Sequence, residues 1–115
     1  MAERQGRLRR PAAAGSFYSS SAQELRREIE QCYLHPLGPG SIPQVQQQPL
    51  PRPVGLVVPH AGYAYSGPIA ARGFAELASQ GRPETAILLG PNHHGVGATL
   101  ALPDSEGWQT PLGVA

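Results

Sequence analysis

Apolar residues form two short unbroken runs in the middle of this chain, with an amphipathic pattern between them. The runs, residues 54–58 and 86–89, do not alternate polar with apolar positions, which is typical of strands covered on both faces of a parallel sheet. Between the two runs, apolar residues recur at helical spacing, and this pattern ends before Gly81. Two parallel strands joined by a helix form a βαβ unit. The pattern therefore predicts an α/β fold with a partly parallel sheet.

Two helices are predicted. Ser21 begins a capping-box pattern, and the apolar positions that follow predict a helix over residues 22–34. The second helix lies between the two strands, where Ser66 can cap it and Pro68 fits its first turn. Gly73 within it allows close packing on the sheet. Its predicted inward stripe is Ala70, Phe74, Leu77 and Ala78.

The remaining segments divide the chain into an arm and one domain. Residues 1–10 are polar and predicted to be a flexible arm, and residues 11–115 form the domain. Within it, residues 36–53 are rich in proline and glutamine and predict an extended connection without regular structure. A third short strand is predicted over residues 98–102.

Composition excludes several classes of protein. The 115 residues carry a net charge of +1, and the arginines near the start lack the interleaved aromatic residues of a nucleic-acid-binding arm. No apolar run approaches the ~18 residues of a membrane span. The single cysteine, Cys32, lies on the apolar stripe of the first helix, so we expect a structural thiol in a reducing compartment. A cytoplasmic protein that binds neither nucleic acid nor membrane is the expectation.

Each of the two central strands is followed by histidine. His60 lies beyond the first strand and His94 beyond the second, at the strand ends where open parallel sheets bind ligands. Imidazole is a ligand for zinc, copper, iron and nickel, but two histidines make an incomplete site. Asp104 and Glu106, in the loop after the predicted third strand, are the best acidic candidates to complete it. The alternative is that both histidines are loop residues satisfied by backbone hydrogen bonds.

Four stretches resemble the Memo family, also called the AmmeMemoRadiSam system protein B family. Residues 58–63, Val-Pro-His-Ala-Gly-Tyr, and residues 89–94, Leu-Gly-Pro-Asn-His-His, are similar to its two central motifs. Residues 14–18 resemble its N-terminal segment, and residues 108–113 the segment after its third strand. The four matches occur in order along nearly the whole chain.

The resemblance implies a fold similar to that of class III extradiol ring-cleaving dioxygenases, which hold non-haem iron at the strand ends. By position, His60 and His94 would be metal ligands, with iron or copper as the cofactor. His93 would be a catalytic residue that moves a proton, and Tyr63 would line the substrate pocket. Fold likeness by itself does not establish dioxygenase activity.

Two functions are compatible with the resemblance. One is a metal-dependent oxidoreductase related to the dioxygenases that acts on a small molecule; the other is a non-catalytic module that binds phosphopeptides. Association with other AmmeMemoRadiSam components is also implied. Family members continue well beyond this length and supply a third ligand, a cysteine or a glutamate. The chain is therefore expected to be the N-terminal part of an incomplete domain, or a truncated chain without activity.

Overall fold

Two helices, α1 (Ala22–Leu34) and α2 (Tyr63–Gln80), pack against each other in the computed structural model, which describes residues 6–115. The bounds of α1 match the predicted helix. Ser21 caps it, because its hydroxyl oxygen accepts a hydrogen bond from the backbone N–H of Glu24 at 3.4 Å. Leu25, on the predicted stripe, is buried. Within residues 6–115, no helix combines the length and apolar character needed to cross a membrane.

The second helix begins earlier than its sequence predicts. Its first residue is Tyr63, whose backbone N–H donates to the carbonyl of Phe17 at 2.9 Å, and Gly62 is the N-cap. Ser66 is therefore inside the helix, and its hydroxyl donates to the carbonyl of Ala61 at 3.1 Å instead of capping. The contact with Phe17 comes from a distant part of the chain, so local sequence gave no sign of it.

The buried face of α2 also differs from the predicted stripe. Ser66, Gly67 and Ala71 are its buried residues, whereas Phe74 is 47% exposed. The reason is a close approach of the two helices: a Cβ at Gly67 would overlap the Sγ of Cys32 on α1. Because Gly67 lacks a side chain, the helices meet along this face, and the predicted stripe is turned partly toward solvent.

Three short strands form a mixed sheet. They are β1 (Leu8–Arg9), β2 (Gly107–Thr110) and β3 (Gly113–Val114), in the order β1-β2-β3, with β1 parallel and β3 antiparallel to β2. The strand β1 belongs to the predicted flexible arm, whose residues 1–5 lie outside the described residues. The guanidinium of Arg9 also lies 4.8 Å from the ring centroid of Trp108. The second half of that arm is thus tied to the end of the chain.

The predicted βαβ unit is wrong for the described structure. Residues 54–58, 86–89 and 98–102 form no strand within residues 6–115. A covered strand needs neighbours on its edges and packing on both faces. In the described part of the chain no strand lies beside residues 54–58, which approach α2. The contact occurs where expected, since a Cβ at Gly73 would lie 2.9 Å from Cγ1 of Val58. The protein is a small α/β domain with a different sheet.

The connection over residues 36–53 runs beside the C-terminal end of α2. The backbone N–H of Gln46 donates to the carbonyl of Ala78, and that of Arg82 to the carbonyl of Gln48, both at 2.9 Å. Gly81, which ends α2 with a φ of 144°, leaves room for this crossing, because a Cβ there would lie 2.7 Å from the Gln48 carbonyl oxygen. Residues 42–47 of the connection are irregular, and residues 46–50 are held to the end of α2.

Candidate metal-binding site

Two of the predicted site histidines lie side by side. The Nε2 atoms of His60 and His93 are 2.9 Å apart, and their ring centroids are separated by 5.1 Å with a tilt of 34°. Both side chains are exposed, and they come from positions 33 residues apart in the chain. In the absence of a metal, one Nε2 must carry a hydrogen and the other accept it. The approach therefore joins the two histidine motifs of the sequence.

Each histidine is positioned by the backbone around it. His60 lies between the extended residues 54–58, which rest on α2, and the first turn of that helix. His93 lies in a turn closed by Asn92, whose side-chain oxygen accepts from the N–H of Gly95 and whose amide donates to the carbonyl of Val96, both at 2.9 Å. Gly95 has a φ of 63°, a left-handed conformation that glycine adopts readily.

The separation of the two nitrogens fits a shared metal ion. Two ligands with bond lengths of about 2.0–2.1 Å lie roughly 2.9 Å apart when the bonds meet at a right angle and roughly 3.3 Å apart in a tetrahedron. The observed 2.9 Å between His60 Nε2 and His93 Nε2 matches the first geometry. Imidazole nitrogen also coordinates iron and copper in proteins. The separation therefore fits two adjacent positions on such an ion, as it also fits the direct hydrogen bond between the two rings.

Other candidate ligands lie elsewhere. His94 is exposed, and its side chain makes no hydrogen bond to residues 6–115. Asp104 pairs with Arg7, and Glu106 lies against Gly6. No group of three histidine, cysteine, aspartate or glutamate residues within the described part of the chain could hold a metal. Within residues 6–115 the structure thus brings two candidate ligands together and leaves the acidic candidates away from them.

A cavity of about 460 Å³ opens beside His60, between the two helices and residues 58–61. Tyr63 lines it. Most of the other lining residues are apolar or aromatic, including Phe17, Tyr18 and Tyr33. The rings of Tyr18 and Tyr63 lie 5.5 Å apart. The volume and lining are those of a small-molecule pocket.

Several lining residues were not singled out as functional from the sequence. Phe17 and Tyr18 belong to the N-terminal segment that resembles the Memo family, and the structure sets them beside the pocket. Cys32 lines the same cavity from α1, half-buried and free. These residues lie far from His60 in sequence, and family likeness was the only feature that linked residues 14–18 to the two histidine motifs.

Two ionisable groups that line the pocket, Tyr63 and Cys32, have raised pKa values that favour their neutral forms. Burial raises the pKa of Tyr63 above its usual 10.0, and the neighbouring Tyr18 and Cys32 add to the effect. Burial also raises the pKa of Cys32 above 9.0, reinforced by the carboxylate of Glu28. A neutral phenol can donate a hydrogen bond to a ligand, and a protonated thiol is a weak metal ligand and nucleophile. The pocket therefore offers neutral donors.

Comparison with known proteins gives the family. The family model described as Memo-like protein matches residues 9–115. A MEMO1 family protein of Sulfurisphaera tokodaii is 51% identical over 107 residues, which cover 92% of this chain and 38% of the relative. MEMO1 family proteins of Ignicoccus hospitalis and Thermotoga petrophila are 49% and 48% identical, covering 92% and 91% of this chain and 37% and 38% of theirs. No solved structure matches the chain. The chain belongs to the Memo family.

Proposed function

We propose that this chain contributes the histidine ligands of an iron- or copper-binding pocket in a cytoplasmic protein. The observation that carries the proposal is the 2.9 Å approach of His60 Nε2 to His93 Nε2. Two imidazoles brought from separate loops onto one point resemble a ligand pair more closely than two independent loop histidines. The chain spans about 38% of the length of the curated relatives it matches, so the activity of the whole protein is part of the proposal.

His60 is one ligand, and the consecutive pair His93 and His94 supplies the other. The family resemblance favours His94 as the ligand and His93 as the residue that moves a proton. The geometry favours His93, since its Nε2 faces His60. Side chains of consecutive residues usually point in different directions, so we expect one of the two to hold the metal and the other to face the substrate.

The proposed chemistry is that of a metal-dependent oxidoreductase acting on a small organic molecule. A bound iron or copper ion would supply an open position that activates dioxygen, water or a substrate oxygen. The largely apolar cavity beside His60 would exclude water from the substrate. Tyr63, kept protonated by its raised pKa, would donate a hydrogen bond that orients a polar group of the substrate.

Phosphopeptide recognition has less support from the pocket. Proteins that bind phosphorylated side chains generally do so with arginine clusters. Among the described residues that line the cavity beside His60 there is no arginine. The metal-binding proposal is therefore preferred.

Metal titration of the full chain tests the proposal. We expect one Cu(II) or Fe(II) ion to bind per chain, measured by equilibrium dialysis and elemental analysis, with Fe(II) handled without oxygen. Mg²⁺ is the matched control, because it prefers oxygen ligands and should neither bind nor displace copper. Copper and iron uptake no greater than that of Mg²⁺ would contradict the proposal.

A further inference from the structure

Ser66 is a buried polar residue whose side chain bonds outside its own helix. It is 8% exposed, and no other polar or charged residue in the described part of the chain is as buried. Its hydroxyl donates to the carbonyl of Ala61 at 3.1 Å. A serine inside a helix usually bonds to the carbonyl three or four residues earlier, whereas Ala61 is five residues earlier and precedes the N-cap, Gly62. The bond therefore ties α2 to the loop that carries His60.

The way α2 begins leaves the Ala61 carbonyl available for this bond. The backbone N–H groups of Tyr65 and Ser66 both donate to the carbonyl of Gly62, at 2.9 and 3.1 Å. Within residues 6–115, no backbone N–H donates to the carbonyl of Ala61. Removal of the Ser66 hydroxyl would thus leave this carbonyl without its protein partner, and the Ala61–Gly62 peptide group would lose its fixed orientation.

The N-terminal segment holds the next peptide group of the same loop. The backbone N–H of Tyr63 donates to the carbonyl of Phe17 at 2.9 Å, and a Cβ at Gly62 would lie 3.2 Å from the same oxygen. Phe17 and Ser66 therefore hold successive peptide groups of the loop. The one nearer to His60 is held by Ser66.

The ring of His60 has no such support of its own. Within residues 6–115, its one hydrogen bond joins its Nε2 to that of His93, and its Nδ1 has no partner there. In metal sites, the second ring nitrogen of a histidine ligand usually donates to a carbonyl or carboxylate, which fixes the ring. The side chain of His60 is also exposed. Its direction therefore depends on the backbone that carries it.

We infer that Ser66 is a positioning residue that directs the His60 imidazole toward His93. The inference rests on the proposed metal site, because the same direction brings Nε2 of His60 to the ion. The hydroxyl of Ser66 is committed to the Ala61 carbonyl, so Ser66 acts through the loop and does not contact the metal. Without this hydroxyl, the loop relaxes and the His60 ring turns away from His93.

Two measurements on the full chain test the role of Ser66. In the metal-free protein, ring protons of His60 and His93 should show a nuclear Overhauser effect, and Ser66→Ala should lose it. In the same variant, the affinity for Cu(II), measured by competition with a chelator, should fall at least about tenfold, as for other residues that support metal ligands. Ser66→Thr keeps the hydroxyl and should retain both the ring contact and the affinity.

The first measurement needs no metal, so the inference and the proposed function fail in different ways. A wild-type chain that shows the ring contact but binds no copper would contradict the proposed metal site. A wild-type chain that binds copper, with a ring contact that persists in Ser66→Ala, would contradict the role of Ser66.

Matched controls separate positioning from general stability. Ser79→Ala removes a hydroxyl near the other end of α2, which donates to the carbonyl of Glu76 at 2.7 Å. Leu25→Val deletes a methylene from a residue of α1 that is 3% exposed, and so lowers the stability of the fold. Both variants should keep the ring contact and the wild-type copper affinity. Loss of the contact in Ser66→Thr, or equal losses in Ser66→Ala and Leu25→Val, would also overturn the inference.

Discussion

Replacing His60 by alanine is expected to lower the affinity of the chain for Cu(II) at least about a hundredfold. His60 belongs to the ligand pair whether its partner is His93 or His94, so its loss leaves one imidazole. Mutating residues that only support metal ligands already costs about 10–100-fold in affinity, and loss of a ligand should reach or exceed that range. Competition with a chelator of known affinity measures the change.

His35→Asn provides the control for this measurement. His35 is the remaining histidine of the chain, and its Nδ1 accepts a hydrogen bond from the N–H of Leu37 at 3.0 Å, which an asparagine oxygen can also accept. The copper affinity of the His35→Asn variant should stay at the wild-type value. His93→Ala and His94→Ala then identify the second ligand, and the geometry predicts the larger loss for His93. Equal losses for His60→Ala and His35→Asn would contradict the assignment.

Gly67→Ala is expected to reduce the free energy of unfolding by about 1–3 kcal/mol, the usual range for added volume at a well-packed contact. Alanine is otherwise the better helix residue, by about 1 kcal/mol. At this position, however, the added Cβ would overlap the Sγ of Cys32 and force the helices apart. Urea unfolding followed by circular dichroism measures the difference.

The Cys32→Ala substitution separates the overlap with the sulfur from the higher helix propensity of alanine. Without the sulfur, a Cβ at Gly67 would meet Cβ of Cys32 at 3.6 Å and Cβ of Tyr63 at 3.4 Å, which are ordinary contacts. In the Cys32→Ala background, Gly67→Ala should therefore stabilise the protein by up to about 1 kcal/mol. If Gly67→Ala has the same effect in both backgrounds, the sulfur does not limit helix packing.

Local features of the sequence predicted local structure well. The signals that predict α1, the cap at Ser21 and the apolar spacing after it, lie within or next to the helix itself. The helix has the predicted bounds. The start of α2 was missed because its first N–H bonds to the carbonyl of Phe17, 46 positions earlier in the sequence (63 − 17). A helix end fixed by a distant contact leaves no local pattern.

The predicted strands assume that their apolar side chains are buried. In the described structure these side chains are largely exposed. The apolar runs at residues 54–58 and 86–89 are suited to a sheet covered on both sides. A strand exists only with a partner, and the observed sheet instead joins Leu8–Arg9 to Gly107–Thr110. These pairing segments are too short and too polar to have been recognised as strands.

The candidate site was predicted in part. His60, His93 and Tyr63 were named from the sequence, and the structure places His60 beside His93 and Tyr63 in the neighbouring cavity. Which of two consecutive histidines faces His60 depends on the turn that Asn92 closes, and a motif alone does not specify that turn. The roles of all three residues in metal binding and catalysis stay predictions.

Pulsed electron paramagnetic resonance of the Cu(II)-loaded chain tests the central claim most directly, because it counts the imidazole nitrogens around the ion. Two imidazoles are expected in the wild-type protein and in His35→Asn, and one in His60→Ala. A signal from two imidazoles that is unchanged in His60→Ala, or one without coordinated imidazole in the wild-type protein, would contradict a metal site built on His60.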